Sequence, residues 1–305
     1  MFHSAVLSLV IAVAGVSSAW SDTLYVADQL GGAIQTYDAA TGEQLNPSFI
    51  TGLDNPMGLT IAGSVLYVSD YTEGSVRAYN VTTGAEISGF SLQGLSGVFD
   101  TFVSGTTLYA STSSGVGIYN AQTGASINPD FISAESSQGI VVNDGVLLVC
   151  KSSDNVVATY DAATGGLINA SFITGLGSPA SLAVEGNTLY VSEIAGGRVG
   201  AYDVRTGAAL YPNLVSPLSS PIGLAVNGNT LYVSTADIHN DDRVNAYDAT
   251  TGEQLPLNEF LPIIEVSSVG GLAVLSSVPE PGTMSLLGLA VVGYGVFWRC
   301  RVRRA

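Results

Sequence analysis

The sequence predicts an all-β fold: a six-bladed β-propeller with four strands in each blade. Three observations lead to this prediction. First, only 11% of the 305 residues are charged and 36 are glycine, a composition typical of short strands joined by tight turns. Second, a Leu-Tyr-Val-like strand occurs six times, at intervals of about 42 residues, which is the repeat length of a propeller blade. Third, the two ends of the repeat region are offset so that the last strand can complete the first blade.

Each repeat predicts the four strands of one blade. The Leu-Tyr-Val-like strand is followed, about 13 residues later, by another strand that ends in Asp or Asn, as in VATYD ending at Asp161. A Thr-Gly turn comes next, in this copy at Gly165, because a bulged hairpin loop needs the positive φ that glycine supplies. A further strand (171–173) and an apolar strand (182–184) complete the unit of four strands. Counted within a blade, the apolar strand is the first and the Leu-Tyr-Val-like strand is the second. The leucines that begin the six copies are Leu24, Leu66, Leu108, Leu147, Leu189 and Leu231.

The register of the repeat at its ends predicts a closed ring. The repeats begin at residues 23–26, the second strand of a blade, and finish at residues 271–274, the first strand of a blade. Pairing of these two segments completes one blade and leaves no exposed sheet edge. A linear solenoid would need capped ends and would not show this complementary offset. Residues 20–277 are therefore predicted to form one propeller domain.

The strand patterns resemble those of NHL and YVTN-type propellers. The patterns are Leu-Tyr-Val-Ser and Val-x-x-Tyr-Asp, and the resemblance spans roughly residues 22–275. It implies the propeller fold. Those families include lactonases, lyases, metal-dependent hydrolases and pure binding modules, so the resemblance does not choose a function.

The N-terminal segment, residues 1–19, is predicted to be a cleavable signal peptide in the form of an apolar helix. Residues 4–19 are uncharged and end in small residues, with Ser17 and Ala19 at positions −3 and −1 of a cleavage site before Trp20. Sixteen residues are fewer than the about 20 that a membrane span needs. An uncleaved anchor and a buried N-terminal helix are the alternatives.

The C-terminal segment, residues 278–305, has three parts. A Val-Pro-Glu-Pro motif precedes an apolar stretch (284–298) and an arginine-rich end. Its prolines favour an extended backbone, and the apolar helix would be roughly 22 Å long, a marginal membrane span. Arginines hold such an end in the cytoplasm. The motif and arginine residues are Val278, Pro279, Glu280, Pro281, Arg299, Arg301, Arg303 and Arg304.

This segment resembles the PEP-CTERM sorting signal. The resemblance implies processing by an exosortase-type enzyme after transient insertion of the C-terminal transmembrane-like helix into the inner membrane. It also implies a cell-surface or extracellular-matrix location in a Gram-negative-type bacterium that makes extracellular polysaccharide. A plain C-terminal membrane anchor is the alternative.

The charge balance excludes one class of partner. Residues 22–280 contain all 25 acidic residues but only five of the nine basic residues, so their formal charge is −20. Such a surface repels nucleic acid and anionic lipid. Divalent cations and neutral or cationic partners remain compatible with it.

The channel mouth is where a propeller would gather ligand-binding residues. Asp100 is the only acid at the predicted start of an inner strand, where the other copies carry four glycines and Ser181. Asp28, Asp70 and Glu193 end second strands and are predicted to lie on the same face. These four acids form either a face that binds a cation or sugar hydroxyls, or ordinary turn-stabilising residues on a soluble surface.

Calcium is the one cofactor for which the sequence offers ligands. Asp237, Asp241 and Asp242 lie in an enlarged loop of the sixth repeat, and carboxylates are typical Ca²⁺ ligands. The loop lacks the EF-hand spacing, so a solvated acidic loop is the alternative. No catalytic residues are predicted, because no nucleophile or phosphate-binding motif is present.

The sequence favours a non-catalytic surface module that binds polysaccharide or another surface protein. The alternative is an exported lactonase, lyase or hydrolase that uses Asp100 with other acids, with or without Ca²⁺.

Overall fold

A computed structural model describes residues 22–133, 137–236, 243–255 and 269–276. The predicted signal peptide, the C-terminal sorting segment and the acidic loop with Asp237, Asp241 and Asp242 lie outside the described residues. The described part of the chain consists of 22 β-strands joined by turns. None of its segments forms a helix with the length and hydrophobicity that a membrane span requires.

The strands form six antiparallel sheets, which are the blades. Blade 1 contains β1 (Thr23–Asp28), β2 (Ala33–Asp38), β3 (Gln44–Thr51) and β22 (Val269–Leu275). Blade 2 contains β4 (Pro56–Ala62), β5 (Val65–Asp70) and β6 (Ser75–Asn80). Blade 3 contains β7 (Val98–Ser104), β8 (Thr107–Thr112), β9 (Gly115–Asn120) and β10 (Ser126–Ser133).

In the other three blades, as in blades 2 and 3, the first strand along the chain is the innermost. Blade 4 contains β11 (Ser137–Asn143), β12 (Val146–Lys151), β13 (Val156–Asp161) and β14 (Leu167–Ile173). Blade 5 contains β15 (Pro179–Glu185), β16 (Thr188–Glu193), β17 (Arg198–Asp203) and β18 (Ala209–Val215). Blade 6 contains β19 (Pro221–Asn227), β20 (Thr230–Thr235) and β21 (Arg243–Asp248).

Within the described residues, two blades lack a full outer strand. In blade 2 it amounts to two isolated bridges, Val76 with Leu92 and Tyr79 with Glu86. In blade 6 one bridge forms, after which the chain enters residues 256–268, which are outside the described residues. The predicted all-β propeller of six blades is confirmed, with four full strands in blades 1, 3, 4 and 5.

The ring closes as the offset of the repeats predicts. β22 pairs antiparallel with β1, so that Leu24 lies opposite Val274 and Val26 lies opposite Leu272. Each inner strand contacts the inner strands of both neighbouring blades, and β22 fills the place between β19 and β4. The innermost strand of blade 1 therefore comes from the other end of the domain.

The core lies between neighbouring blades. Hydrophobic clusters join consecutive blades, and the leucine at the second position of each second strand is fully buried. A tyrosine follows that leucine in five copies, and its hydroxyl donates to a backbone carbonyl of the next blade, as Tyr25 does to Val81 at 2.7 Å. Tyr232 donates to Ala39 across the closure. Each of these buried hydroxyls has a hydrogen-bond partner, so the five tyrosines link neighbouring blades.

The Thr-Gly turns fit closely against the preceding blade. In blade 4 the carboxylate of Asp161 accepts bonds from the N–H groups of Ala163 and Thr164, and Gly165 has a φ of 73°. In blade 6 Gly252 also has a φ of 73°, and a Cβ there would overlap the carbonyl oxygen of Leu214. Glycine is thus required both for the backbone conformation and for blade packing.

Substitution of Gly252 tests this packing. We expect Gly252→Ala to lower the free energy of unfolding by at least about 3 kcal/mol, because a left-handed conformation and a backbone clash act together. Gly63→Ala is the matched control: Gly63 has a φ of 59°, but open space surrounds its Cβ position. Gly63→Ala should lower the free energy of unfolding by about 1 kcal/mol. Urea unfolding measures both, and equal losses would contradict the packing argument.

Candidate functional site

The inner strands begin on one face of the propeller, and two rings of residues surround the channel opening there. We call this the mouth face. The inner ring consists of the second residue of each inner strand: Met57, Phe99, Gln138, Ala180, Ile222 and Gly270. The outer ring consists of the residue that follows each second strand: Gln29, Tyr71, Ser113, Ser152, Ile194 and Ala236. All twelve residues are uncharged.

Below the inner ring the channel narrows to a waist, formed by the third residue of each inner strand. The waist residues are Gly58, Asp100, Gly139, Ser181, Gly223 and Gly271. A Cβ on Gly58 would lie 2.7 Å from the Cα of Asp100, and a Cβ on Gly139 would lie 2.7 Å from the Cα of Ser181. Neighbouring inner strands therefore approach so closely that glycine is needed at these positions.

Asp100 is the only charged residue of the waist. Its Oδ1 accepts from the N–H of Thr101 at 2.8 Å, and its Oδ2 accepts from the N–H of Ile140 in the next blade at 3.1 Å. Ser181 occupies the same position two blades further on, and its hydroxyl accepts from the N–H of Leu224 at 3.3 Å. Burial raises the pKa of the Asp100 carboxyl to about 7, although these hydrogen bonds oppose the shift.

Buried serines below the mouth connect neighbouring inner strands. The Ser234 hydroxyl accepts from the N–H of Gly223 at 2.8 Å and donates to the carbonyl of Gly270 in the next blade at 2.9 Å. Cys150 takes the corresponding position in blade 4 and is fully buried. Burial, and the nearby Asp100, raise the pKa of the Cys150 thiol. The waist is therefore a rigid, hydrogen-bonded part of the ring.

Two cavities meet at the waist. A small one of about 50 Å³ lies on the mouth side and is lined by the inner ring and the waist residues. A larger one of about 380 Å³ lies on the opposite side, where the inner strands end; we call it the lower channel. Its walls are largely aliphatic, with residues such as Ile61, Val142 and Val184, and among the described residues Asp100 is the one charged residue that lines it.

Asp28 and Glu193, two acids of the predicted ligand face, are buried and hydrogen-bonded within their own blades. Asp28 accepts from the N–H of Gly31 at 2.7 Å and from the side chain of Gln35 at 3.1 Å. Burial still raises the pKa of Asp28. Glu193 is fully buried and pairs with Arg198, whose Nε lies 2.7 Å from Oε1. Both carboxylates hold the loops of the mouth face in place.

Asp70, the third of these acids, is also fully buried. Its carboxylate accepts from the N–H groups of Asp54 at 2.7 Å, Asn55 at 3.2 Å and Glu73 at 3.1 Å. It thus fixes the loop that leads into β4 as well as its own turn. Within the described residues, no three His, Cys, Asp or Glu side chains come together in a group that could hold a metal ion.

An aromatic pair on the mouth face was not anticipated from the sequence. The rings of Tyr71 and Phe99 lie 5.1 Å apart at an angle of 49°, and Tyr71 is 37% exposed. Nearby, the N–H of Tyr71 donates to the carbonyl of Asn55, whose side-chain Oδ1 is buried without a hydrogen-bond partner. The repeat alignment contained the signal, because Tyr71 follows Asp70 and Phe99 precedes Asp100.

Two protein families match the sequence. The family described as outer membrane protein assembly factor BamB matches residues 72–211, which lie within the propeller. The family described as the PEP-CTERM protein-sorting motif matches residues 277–304. No curated protein matches the chain by sequence. The resemblance to NHL repeats stays a prediction.

Solved structures share the fold at low sequence identity. A chain of a nidogen/laminin complex is 16% identical, with a TM-score of 0.70, and the match covers 85% of this chain and 100% of that one. The computationally designed Ika8 protein is also 16% identical, with a TM-score of 0.50 and coverage of 75% and 69%. At this identity the likeness concerns the fold alone.

The sorting motif implies export and association with the surface of a Gram-negative bacterium, after processing by an exosortase-type enzyme. The described residues form the closed ring of blades, and the family match to BamB falls within it. The chain is therefore a six-bladed β-propeller whose residues 72–211 are similar to the BamB family and whose residues 277–304 match the PEP-CTERM protein-sorting motif.

Proposed function

We propose that the propeller is a non-catalytic binding module that engages uncharged polysaccharide through its mouth face. The observation that carries this proposal is the composition of the two rings: twelve uncharged residues surround the channel opening of a protein whose residues 22–280 have a formal charge of −20. An uncharged patch on an acidic surface suits a neutral ligand, because charged side chains there would have to be desolvated on binding.

The side chains of the rings have the chemistry that sugars require. Amides and hydroxyls, such as those of Gln138 and Ser113, donate to and accept from sugar hydroxyls. The exposed ring of Tyr71, held by Phe99, offers a flat apolar surface for the C–H face of a pyranose.

The hydrogen bonds of the mouth acids support a non-catalytic role. A general acid or base must reach a proton of the substrate, whereas the carboxylates of Asp28, Asp70 and Glu193 are buried and bound to loop N–H groups or to Arg198. These bonds make the mouth face rigid, which lowers the entropy cost of binding.

Delivery of this module to the cell surface or matrix follows from its proposed organisation. Residues 1–19 act as a cleavable signal peptide, residues 20–277 form the propeller, and residues 278–305 insert transiently into the inner membrane before processing. The PEP-CTERM match supports the last step. Extracellular polysaccharide would then be one class of partner for the exported propeller, with surface proteins as the other.

Loss of the aromatic ring at position 71 tests the mouth face. We expect Tyr71→Ala to weaken binding of neutral polysaccharides to residues 20–277 by about tenfold, or about 1.4 kcal/mol, because an exposed aromatic anchor is lost. Titration calorimetry with a panel of purified bacterial polysaccharides measures the affinity. Tyr211→Ala is the matched control, because Tyr211 is 58% exposed on the outer strand β18, away from the mouth.

The outcome of this titration separates the proposal from its rivals. Equal binding by both variants would place the polysaccharide elsewhere on the propeller, and no binding to wild type would overturn the proposal. The same titration in EDTA and in Ca²⁺ addresses the enzyme alternative: a polysaccharide that shortens during the titration only when Ca²⁺ is present would favour a calcium-dependent hydrolase or lyase.

A further inference from the structure

The lower channel is a second potential binding site, separated from the mouth face by the waist. It has a volume of about 380 Å³, which is within the range of small-molecule sites in proteins. Residues of all six inner strands line it, so its shape is fixed by the rigid ring. The function proposed above does not use it.

The walls of the lower channel are apolar except at the waist. Ile61, Val184, Val226 and Val274 and the ring of Phe102 contribute hydrocarbon surface. The polar lining includes the hydroxyls of Thr60 and Ser181 and the amide of Asn143. An apolar cavity with few polar groups at defined positions holds a small organic molecule in one orientation.

Asp100 supplies the only charge among the described residues that line this cavity. Each oxygen of its carboxylate accepts one backbone N–H, from Thr101 or Ile140. An ionised carboxylate has about four acceptor positions, so two remain for a ligand. A half-buried carboxylate without a counter-ion is costly, and a cation that reaches it gains a charge-assisted hydrogen bond at a poorly solvated position.

We propose that the lower channel binds a primary ammonium ion with a short aliphatic body, with the carboxylate of Asp100 as its counter-ion and the aliphatic walls around its hydrocarbon part. The ammonium donates one hydrogen bond to Asp100, and a second can reach the Ser181 hydroxyl, which lines the same cavity. The acidic surface of the protein raises the local concentration of such cations at the channel opening.

Binding of the ammonium ion is coupled to ionisation of Asp100. Because burial raises the pKa of this carboxyl to about 7, a large part of the free protein is protonated there at neutral pH. A cation favours the ionised form. Affinity should therefore rise between pH 6 and pH 8, with release of a proton on binding.

Thermal unfolding with n-butylammonium chloride tests this site. We expect the Tm of residues 20–277 at pH 8 to rise by a few degrees relative to the same concentration of NaCl, the shift expected when a ligand is present at about 100 times its Kd. The rise should be smaller at pH 6. n-Butanol, which has the same hydrocarbon body but no charge, should not raise the Tm.

Two variants locate the effect. Asp100→Ser, which copies the residue of blade 5, should remove the shift caused by butylammonium, whatever its own Tm. Asp144→Asn is the matched control and should keep the shift, because Asp144 is an exposed acid in the turn that follows β11 on the same side of the ring. A shift that survives in Asp100→Ser, an equal shift with n-butanol, or no shift in wild type would overturn the proposal.

Discussion

Removal of β22 should abolish the closed propeller. We expect a chain of residues 20–268 to lose cooperative unfolding, because blade 1 would lack its inner strand and the ring would open. Val269, Leu272 and Ala273 are buried in the clusters on both sides of blade 1. Each buried Val or Leu contributes roughly 1.5–3 kcal/mol, so their combined loss is comparable with the whole stability of a domain, about 5–15 kcal/mol.

A chain of residues 20–277 is the matched control for this deletion. It lacks the same sorting segment but keeps β22, and it should unfold in one cooperative transition. Circular dichroism during thermal unfolding, together with size-exclusion chromatography, distinguishes the two chains. A compact, cooperatively unfolding chain of residues 20–268 would show that the pairing of β22 with β1 is dispensable, contrary to the closure described above.

The closure could be predicted from sequence because it depends on register alone. The repeat begins on a second strand and finishes on a first strand, and antiparallel pairing leaves one arrangement for the two ends. The reduced outer strand of blade 2 could not be predicted in the same way. Blade 2 has Phe-Ser-Leu (90–92) where other blades have the SFI segment, and only Val76 and Tyr79 find bridge partners in residues 86–97.

The repeat predicts which strands carry Asp70 and Asp100 but not the contacts of their side chains, and their role in ligand binding stays a prediction. The repeat could not reveal that the Asp70 carboxylate accepts the N–H of Asp54, because that contact depends on the path of a loop 16 residues away. The repeat alignment places Tyr71 and Phe99 on the mouth face, but the contact of their rings depends on how two neighbouring blades pack.

Asp100 should also make stability depend on pH. Its pKa is about 7 in the folded protein, against 3.8 for the ordinary carboxyl. Between these values the folded state keeps a proton that the unfolded state releases, so the free energy of unfolding should fall as pH rises from about 4 to 7. A shift of about three units corresponds to at most about 4 kcal/mol. Above pH 7 this contribution is constant.

The pH dependence is measured as a difference between wild type and Asp100→Ser. The serine should accept the N–H of Ile140 as Ser181 accepts that of Leu224, without an ionisable group. Urea unfolding from pH 4 to 8 should show the variant gaining on wild type by up to about 4 kcal/mol. Carboxyls whose pKa is lowered in the folded protein have the opposite effect: they stabilise the fold more as pH rises, and this contribution is complete above about pH 4. They are present in both proteins, so they do not change the difference between them. The groups concerned are Asp161, Asp203 and Asp248.

The neighbours of Asp100 make this difference specific to one carboxyl. The waist residues on either side are Gly58 and Gly139, and the nearby thiol of Cys150 has a raised pKa that keeps it neutral throughout this range. A constant difference between wild type and Asp100→Ser from pH 4 to 8 would mean that the carboxyl ionises normally. The waist would then have to be hydrated enough to solvate a charge, and the lower channel would offer an ammonium ion little advantage over bulk water.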